Sequence, residues 1–166
     1  MAYSLVSERP EHHDAIERVL DRAFGPGRFA KTSERVRERG AVHEPHLSRV
    51  AVENDAVLGV CRISRVSIGA AQAYFLGPLA VDPAAQHAGL GAALTRDAVI
   101  ACRTVRGPGA VILVGAEAFF RPLGFSLADP QRVILPGAVD SRRLLWLELR
   151  PGGLDKINGA VTAPHD

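Results

Sequence analysis

Residues 79–92 read Leu79-Ala80-Val81-Asp82-Pro83-Ala84-Ala85-Gln86-His87-Ala88-Gly89-Leu90-Gly91-Ala92. An apolar strand breaks at Asp-Pro, crosses a glycine-bearing loop and opens directly into a helical stripe of Leu90, Ala93, Leu94, Ala98 and Ala101. The first turn of such a helix carries backbone N–H groups with no intrahelical partner, and its dipole favours an anion. Glycines at 89 and 91 let phosphate oxygens approach the backbone with no Cβ in the way. Two nucleotide motifs fail on spacing. The dinucleotide fingerprint needs glycine or alanine three residues past the second glycine, where Leu94 stands, and the Gly-Lys-Ser/Thr loop needs a lysine that this stretch lacks.

Upstream, residues 74–81 form an apolar strand interrupted by Gly77-Pro78. Proline donates nothing to a ladder, so a bulge or a splayed edge is predicted there. Residues 47–52 and 56–68 read as strands around a Glu53-Asn54-Asp55 hairpin turn. Residues 3–8 give a first strand. Pro10 then opens a helix with Ile16, Val19, Leu20, Ala23 and Phe24 on one face, ended by Gly25-Pro26-Gly27. Residues 29–39 make a second, mostly polar helix capped by Gly40, and its Arg35, Arg37 and Arg39, interleaved with Glu34 and Glu38, read as a solvated face. Downstream, the unbroken Ala110-Val111-Ile112-Leu113-Val114 fits a strand buried on both faces, as in a parallel pair. Residues 116–121 give one short helical turn, and residues 133–135 and 144–149 two closing strands. The order β-α-α-β-β-β-α-β-α-β-β predicts one α/β domain with a mixed sheet over residues 1–150, and residues 151–166 as a Gly-rich polar tail.

The chain has 166 residues, 47% hydrophobic and 23% charged, which suits one domain with a filled core and excludes wholesale disorder. A net charge of +2 without a run of like charges shows no footprint for nucleic acid. Cys61 and Cys102 lie far apart with no CxxC, and the histidines lack paired spacing, so neither a disulfide nor a metal site is expected. No run approaches the ~18 apolar residues of a membrane span. The first residues lack a basic stretch followed by an apolar one, so the expected location is cytoplasmic.

The run Gln86-His87-Ala88-Gly89-Leu90-Gly91 is similar to the pyrophosphate motif Gln/Arg-x-x-Gly-x-Gly/Ala of the GNAT acyl-CoA N-acyltransferases. More narrowly, the chain resembles the YhbS-like bacterial acetyltransferases through residues 24–32, 76–81, 114–125 and 151–155. The resemblance implies a mixed, mostly antiparallel central sheet flanked by helices, with a splayed strand pair at the acyl-CoA site. It also implies acetyl-CoA as acyl donor and direct attack by the primary amine of a small molecule or peptide. The residues it places on the cosubstrate are Leu79, Ala80 and Val81, then Gln86, His87, Ala88, Gly89, Leu90, Gly91 and Ala92, with Phe120; Phe119 and Phe120 are expected to pack beside the pantetheine arm or in the core. Of His87, the backbone N–H is expected to matter more than the ring.

Many relatives carry a tyrosine acid on the short helix after the buried strand. Here the matching pair is Phe119-Phe120, which has no proton to give, so no catalytic acid or base is assigned. Glu117, His43 and His46 are weaker candidates, and Lys31 and Thr32 belong to the shared segment that can line the acceptor side. The alternative is an acyl-CoA-binding module with little or no catalysis. No nucleic-acid or membrane partner is expected, and a homodimer is left open.

Overall fold

The structure, a computed structural model, describes residues 2–30, 32–85 and 87–165, with the side chains of residues 29, 30, 32 and 33 left aside. The strands are β1 (Ser4–Ser7), β2 (Val42–His43), β3 (Arg49–Glu53), β4 (Ala56–Ile68), β5 (Ala71–Val81), β6 (Ala110–Val114), β7 (Ser126–Leu127), β8 (Val133–Ile134), β9 (Leu144–Glu148) and β10 (Gly159–Thr162). The helices are α1 (His13–Phe24), α2 (Thr32–Glu38), α3 (Leu90–Thr104) and α4 (Glu117–Phe120). The main sheet runs β1-β3-β4-β5-β6-β9-β7. Every pairing along it is antiparallel except β5 with β6, which is the parallel pair expected from the buried aliphatic run.

Strand alternation sends neighbouring residues to opposite faces, and the two faces carry different helices. Ile16, Val19 and Leu20 of α1 are buried against Val50, Val60 and Ala80. On the other face, Leu90, Leu94, Ala98 and Cys102 of α3 cover Cys61, Ile63, Leu76, Leu113 and Leu145. The β3–β4 hairpin closes through Asn54 and Asp55, both at positive φ (50° and 65°), with Glu53 opposite Ala56. Two positive φ values match the right-handed twist of the flanking strands.

The bulge expected at Gly77-Pro78 is present. Cys61 pairs with Leu79 but Ile63 with Leu76, so β5 holds one more residue than β4 across that interval. Gly77 stands at φ 142°, a conformation that a side chain disfavours. The extra residue lets Leu76 and Leu79, three apart, both face α3, while Ala80 turns to α1. On its other edge β5 meets β6 only at Tyr74–Val111 and Phe75–Ile112, after which the two strands part.

Three sequence expectations are corrected. The second helix covers Thr32–Glu38 rather than residues 29–39, because Pro26–Ala30 forms a separate 3₁₀ turn. Val133–Ile134 joins β10 rather than closing the main sheet. The run expected as a polar tail folds onto the domain: β10 pairs with β4 and β8, and Ile157 and Val161 are 1% and 5% exposed. Ile157 sits in a core cluster with Val66, Phe75, Ile112 and Trp146. Ile157→Ala is therefore expected to cost about 2–5 kcal/mol in denaturant unfolding, whereas a residue of a loose tail would change stability by no more than about 0.5 kcal/mol.

Candidate functional site

The site has a backbone part and a side-chain part. The backbone part begins where β5 ends. Asp82 shapes the exit: its N–H donates to the Leu58 carbonyl at 2.7 Å, and its carboxylate accepts from the Ala84 N–H at 3.0 Å and from Arg22 at 2.6 Å. The Ala84 N–H, with Arg22 behind it, holds this carboxyl below its ordinary value despite burial. The loop then reaches Gly89, the N-cap of α3, at φ 76°, ψ 9°, with no side chain capping the helix. Among the described residues no side-chain hydrogen bond caps the first N–H groups of α3, which leaves them open to a ligand.

A Cβ on Gly89 would meet nothing within 4 Å, whereas one on Gly91 would stand 3.5 Å from Phe119 Cζ and 3.8 Å from Val81 Cγ2. Phe119 therefore joins the helix start to the groove between the parted strands. Gly115, just past β6, has no Cβ because Phe120 would lie 2.5 Å from it, and its N–H donates to the Arg143 carbonyl at 2.8 Å.

The parted strands open into a cleft of about 860 Å³. Leu76, Gly77, Pro78 and Leu79 line one side and Leu113, Val114, Gly115 and Ala116 the other, and Phe119 and Phe120 line it as well. The remaining wall comes from α1, the 3₁₀ turn Pro26–Ala30, α2, β4 and residues 138–143, and its polar side chains are His13, Glu17, Arg28, Glu34, Arg37, Arg62, Asp140 and Arg143. None of these was singled out as a site residue from sequence. The reading of α2 as a solvated face holds for Arg35, Glu38 and Arg39, which are exposed, but not for Glu34 and Arg37, which are half-buried and line the cleft.

Behind the wall, Glu8 anchors Arg62 with two hydrogen bonds, from Nε at 3.1 Å and from Nη2 at 3.0 Å. His43 Nε2 lies 3.1 Å from Glu8 Oε1. Burial works against the Glu8 carboxylate, but the His43 and Arg62 hydrogen bonds and the Arg62 charge outweigh it and hold its pKa below 4.5.

The sequence-derived residues divide accordingly. Leu79, Ala80 and Val81 end β5, Leu79 on the cleft itself. Ala88, Gly89, Leu90, Gly91 and Ala92 form the loop end and first turn of α3; Leu90 is 1% exposed, which leaves only its backbone for a ligand. The His87 ring is occupied, 3.3 Å from Glu53 and edge-on to Tyr3. Phe120 is 7% exposed in the core and lines the cleft. Gln86 and Lys31 lie outside the described residues, as does the Thr32 side chain. Glu117, His43 and His46 do not line the cleft: Glu117 is paired with Arg121, His43 belongs to the Glu8 cluster, and His46 is exposed near Glu44. Burial pushes both thiols up, Cys102 to about 12 and Cys61 further, so neither is a nucleophile near neutral pH.

A model of the acetyltransferase (GNAT) domain matches residues 44–127. The fold is similar to a GNAT family N-acetyltransferase, YhbS of Escherichia coli, solved in complex with CoA: TM-score 0.78, 24% identity, 98% of this chain and 89% of that one. It is also similar to a GNAT family acetyltransferase of Brucella melitensis solved with acetyl-CoA: TM-score 0.70, 27% identity, 99% of this chain and 96% of that one. A third likeness, at 18% identity and TM-score 0.62 over 89% and 94% of the two chains, is to the ribosomal-protein-S18-alanine N-acetyltransferase of Escherichia coli. No curated protein sequence matches the chain. Among the described residues no helix is long and apolar enough to cross a membrane.

The lowered Glu8 pKa makes a pH test of the Arg62 anchor. A carboxyl with a depressed folded-state pKa contributes stability above its unfolded value, and that contribution is lost as pH falls through the folded value. Glu8→Gln is expected to be clearly less stable than wild type at neutral pH. In urea unfolding the gap should narrow as pH drops through 4.5 and below. A gap independent of pH would mean that the carboxylate charge plays no part.

Proposed function

The chain belongs to the acetyltransferase (GNAT) family, and from that premise we propose that it transfers an acetyl group from acetyl-CoA to a primary amine by direct attack. One observation carries the reading. The uncapped start of α3 and the parting of β5 from β6 meet at Phe119, which gives one continuous track from an anion cradle to a cleft. On this track the N–H groups at the start of α3 receive the pyrophosphate, and glycine at 89 and 91 keeps side chains out of its way. The backbone of Leu79–Val81 serves the pantetheine arm as an added strand would. The thioester then lies beside Gly77-Pro78, facing the charged wall.

A neutral amine attacks the thioester carbonyl carbon. The C–N bond forms, the carbonyl oxygen takes the negative charge, and backbone N–H groups of the parted strand receive it. Collapse breaks the C–S bond, the thiolate leaves and the nitrogen gives up its proton to water. The two tyrosines of the chain are Tyr3 and Tyr74. Tyr3 meets His87 edge-on, and Tyr74 is 3% exposed in the core, with burial pushing its pKa up to about 12. Neither lines the cleft. Thiols have a pKa of about 8.5, so the thiolate is a fair leaving group that takes its proton from water. The proposed enzyme thus works by positioning and by backbone donors, without a side-chain acid.

Two measurements test this. Gly91→Val places methyls at the cradle beside Phe119 and is expected to weaken CoA binding at least roughly tenfold, about 1.4 kcal/mol, in a protein that still folds. Unchanged affinity in the folded variant would remove the cradle assignment. Glu117→Gln is expected to leave kcat, followed by release of the CoA thiol, close to wild type. A fall of about 10²–10⁴ would instead identify Glu117 as the acid.

A further inference from the structure

The charged wall has an unequal account of donors and acceptors. Its three carboxylates are Glu17, Glu34 and Asp140, and each is already held by arginine. Glu17 accepts from Arg28 Nη2 at 3.1 Å and lies 3.6 Å from Arg62 Nη1. Glu34 accepts from both Nε and Nη2 of Arg37. Asp140 accepts from the Arg142 N–H at 3.0 Å and from its guanidinium at 3.0 and 3.2 Å.

The arginines are not used up in the same way. Arg62 is met by Glu8, and Arg28 by Glu17 and Asp21. Arg37, held by Glu34 at one edge, leaves Nη1 buried with no hydrogen-bond partner among the described residues, 3.8 Å from where a Cβ would stand on Gly77. Arg143 is exposed, its backbone fixed by the Gly115 hydrogen bond, and its guanidinium makes no hydrogen bond or ion pair among the described residues. The cleft therefore offers uncommitted cationic donors at two places, beside the Gly77 bulge and at the end of β6, and no uncommitted carboxylate among the residues named.

We propose that the acceptor is an amine that also carries a carboxylate, of the amino-acid class, and that Arg143 and Arg37 select it by binding that carboxylate; this rests on the acyltransferase reading above. A polyamine or a lysine side chain would bring positive charge to a wall with guanidinium to spare. A carboxylate finds charge-assisted donors there, and guanidinium is the group best shaped to hold it. The same surplus serves the chemistry. Nearby positive charge disfavours the ammonium form of the acceptor, so more of it is the neutral amine that attacks, and less is asked of a side-chain base.

The test is equilibrium binding. CoA-saturated protein is titrated calorimetrically with common L-amino acids, with their carboxamides and with spermidine. At least one acid should bind roughly tenfold or more tightly than its own carboxamide. Arg143→Gln, at an exposed position that the fold tolerates, should bring that pair within about threefold of each other. Arg37→Gln should do the same, and its melting temperature and CoA affinity establish that it is folded. The inference is overturned if no acid is preferred to its carboxamide, if the preference survives both substitutions, or if spermidine binds more tightly than every acid. Release of the CoA thiol from acetyl-CoA with the preferred acid is measured separately. An intact acid preference without thiol release upholds the amino-acid site and overturns the transfer reading.

Discussion

One extra residue in β5 organises this molecule. Across Gly77-Pro78 the strand holds one more residue than its partner β4, and Pro78 has no N–H with which to hold a neighbour. The bulge lets Leu76 and Leu79 stay on the α3 side and Ala80 on the α1 side, so both cores survive the irregularity. It also coincides with the end of the β5–β6 ladder, which stops at Phe75 and Ile112. Backbone groups beyond that point have no strand to pair with, and the cleft between them is the consequence. A backbone edge exposed in this way invites an extended ligand to complete it. Had β5 and β6 stayed paired to their ends, the uncapped start of α3 would face no groove.

The elements legible in the sequence are those fixed by local chemistry. The α1 stripe, the Asn54-Asp55 turn, the aliphatic β6 and the strand-to-helix passage through Gly89 all follow from spacing and from residues that tolerate one conformation. The bulge was legible for the same reason, since Gly77 and Pro78 carry the signal themselves. The short strands were not. Two-residue β2 and β7 exist only through pairing with β4 and β9, and nothing in a dipeptide announces a distant partner. The run after Pro151 has a tail's composition, yet Ile157 and Val161 are enough to tie it to the core.

The side-chain half of the candidate site was illegible for a related reason. Glu8 and Arg62 are 54 residues apart, and Glu8 and His43 are 35 apart, so no motif joins them. Arg37 sits in a charge pattern typical of solvated helices, and only the placement of α2 over the parted strands turns it inward. The two halves also differ in what they do. In the proposed function the backbone half would hold the cosubstrate through N–H groups that any residue supplies, so its signature is the residues it excludes. The charged wall depends on individual side chains, and there, on the proposed reading, the acceptor is chosen. On the proposed reading, with neither tyrosine lining the cleft, catalysis relies on position and charge rather than on a tyrosine proton donor.

The central claim is that helix start, strand end and cleft form one cosubstrate track. The most direct measurement is a titration of CoA into isotope-labelled protein, followed by the backbone amide resonances residue by residue. The largest shifts are expected at Leu79 and Val81, at Gly89, Leu90, Gly91 and Ala92, and at Gly115, all saturating with one binding constant. Shifts confined to another surface, such as the basic hollow lined by Arg103, Arg106 and Arg150, with the amides of β5 and the start of α3 unmoved, would contradict it.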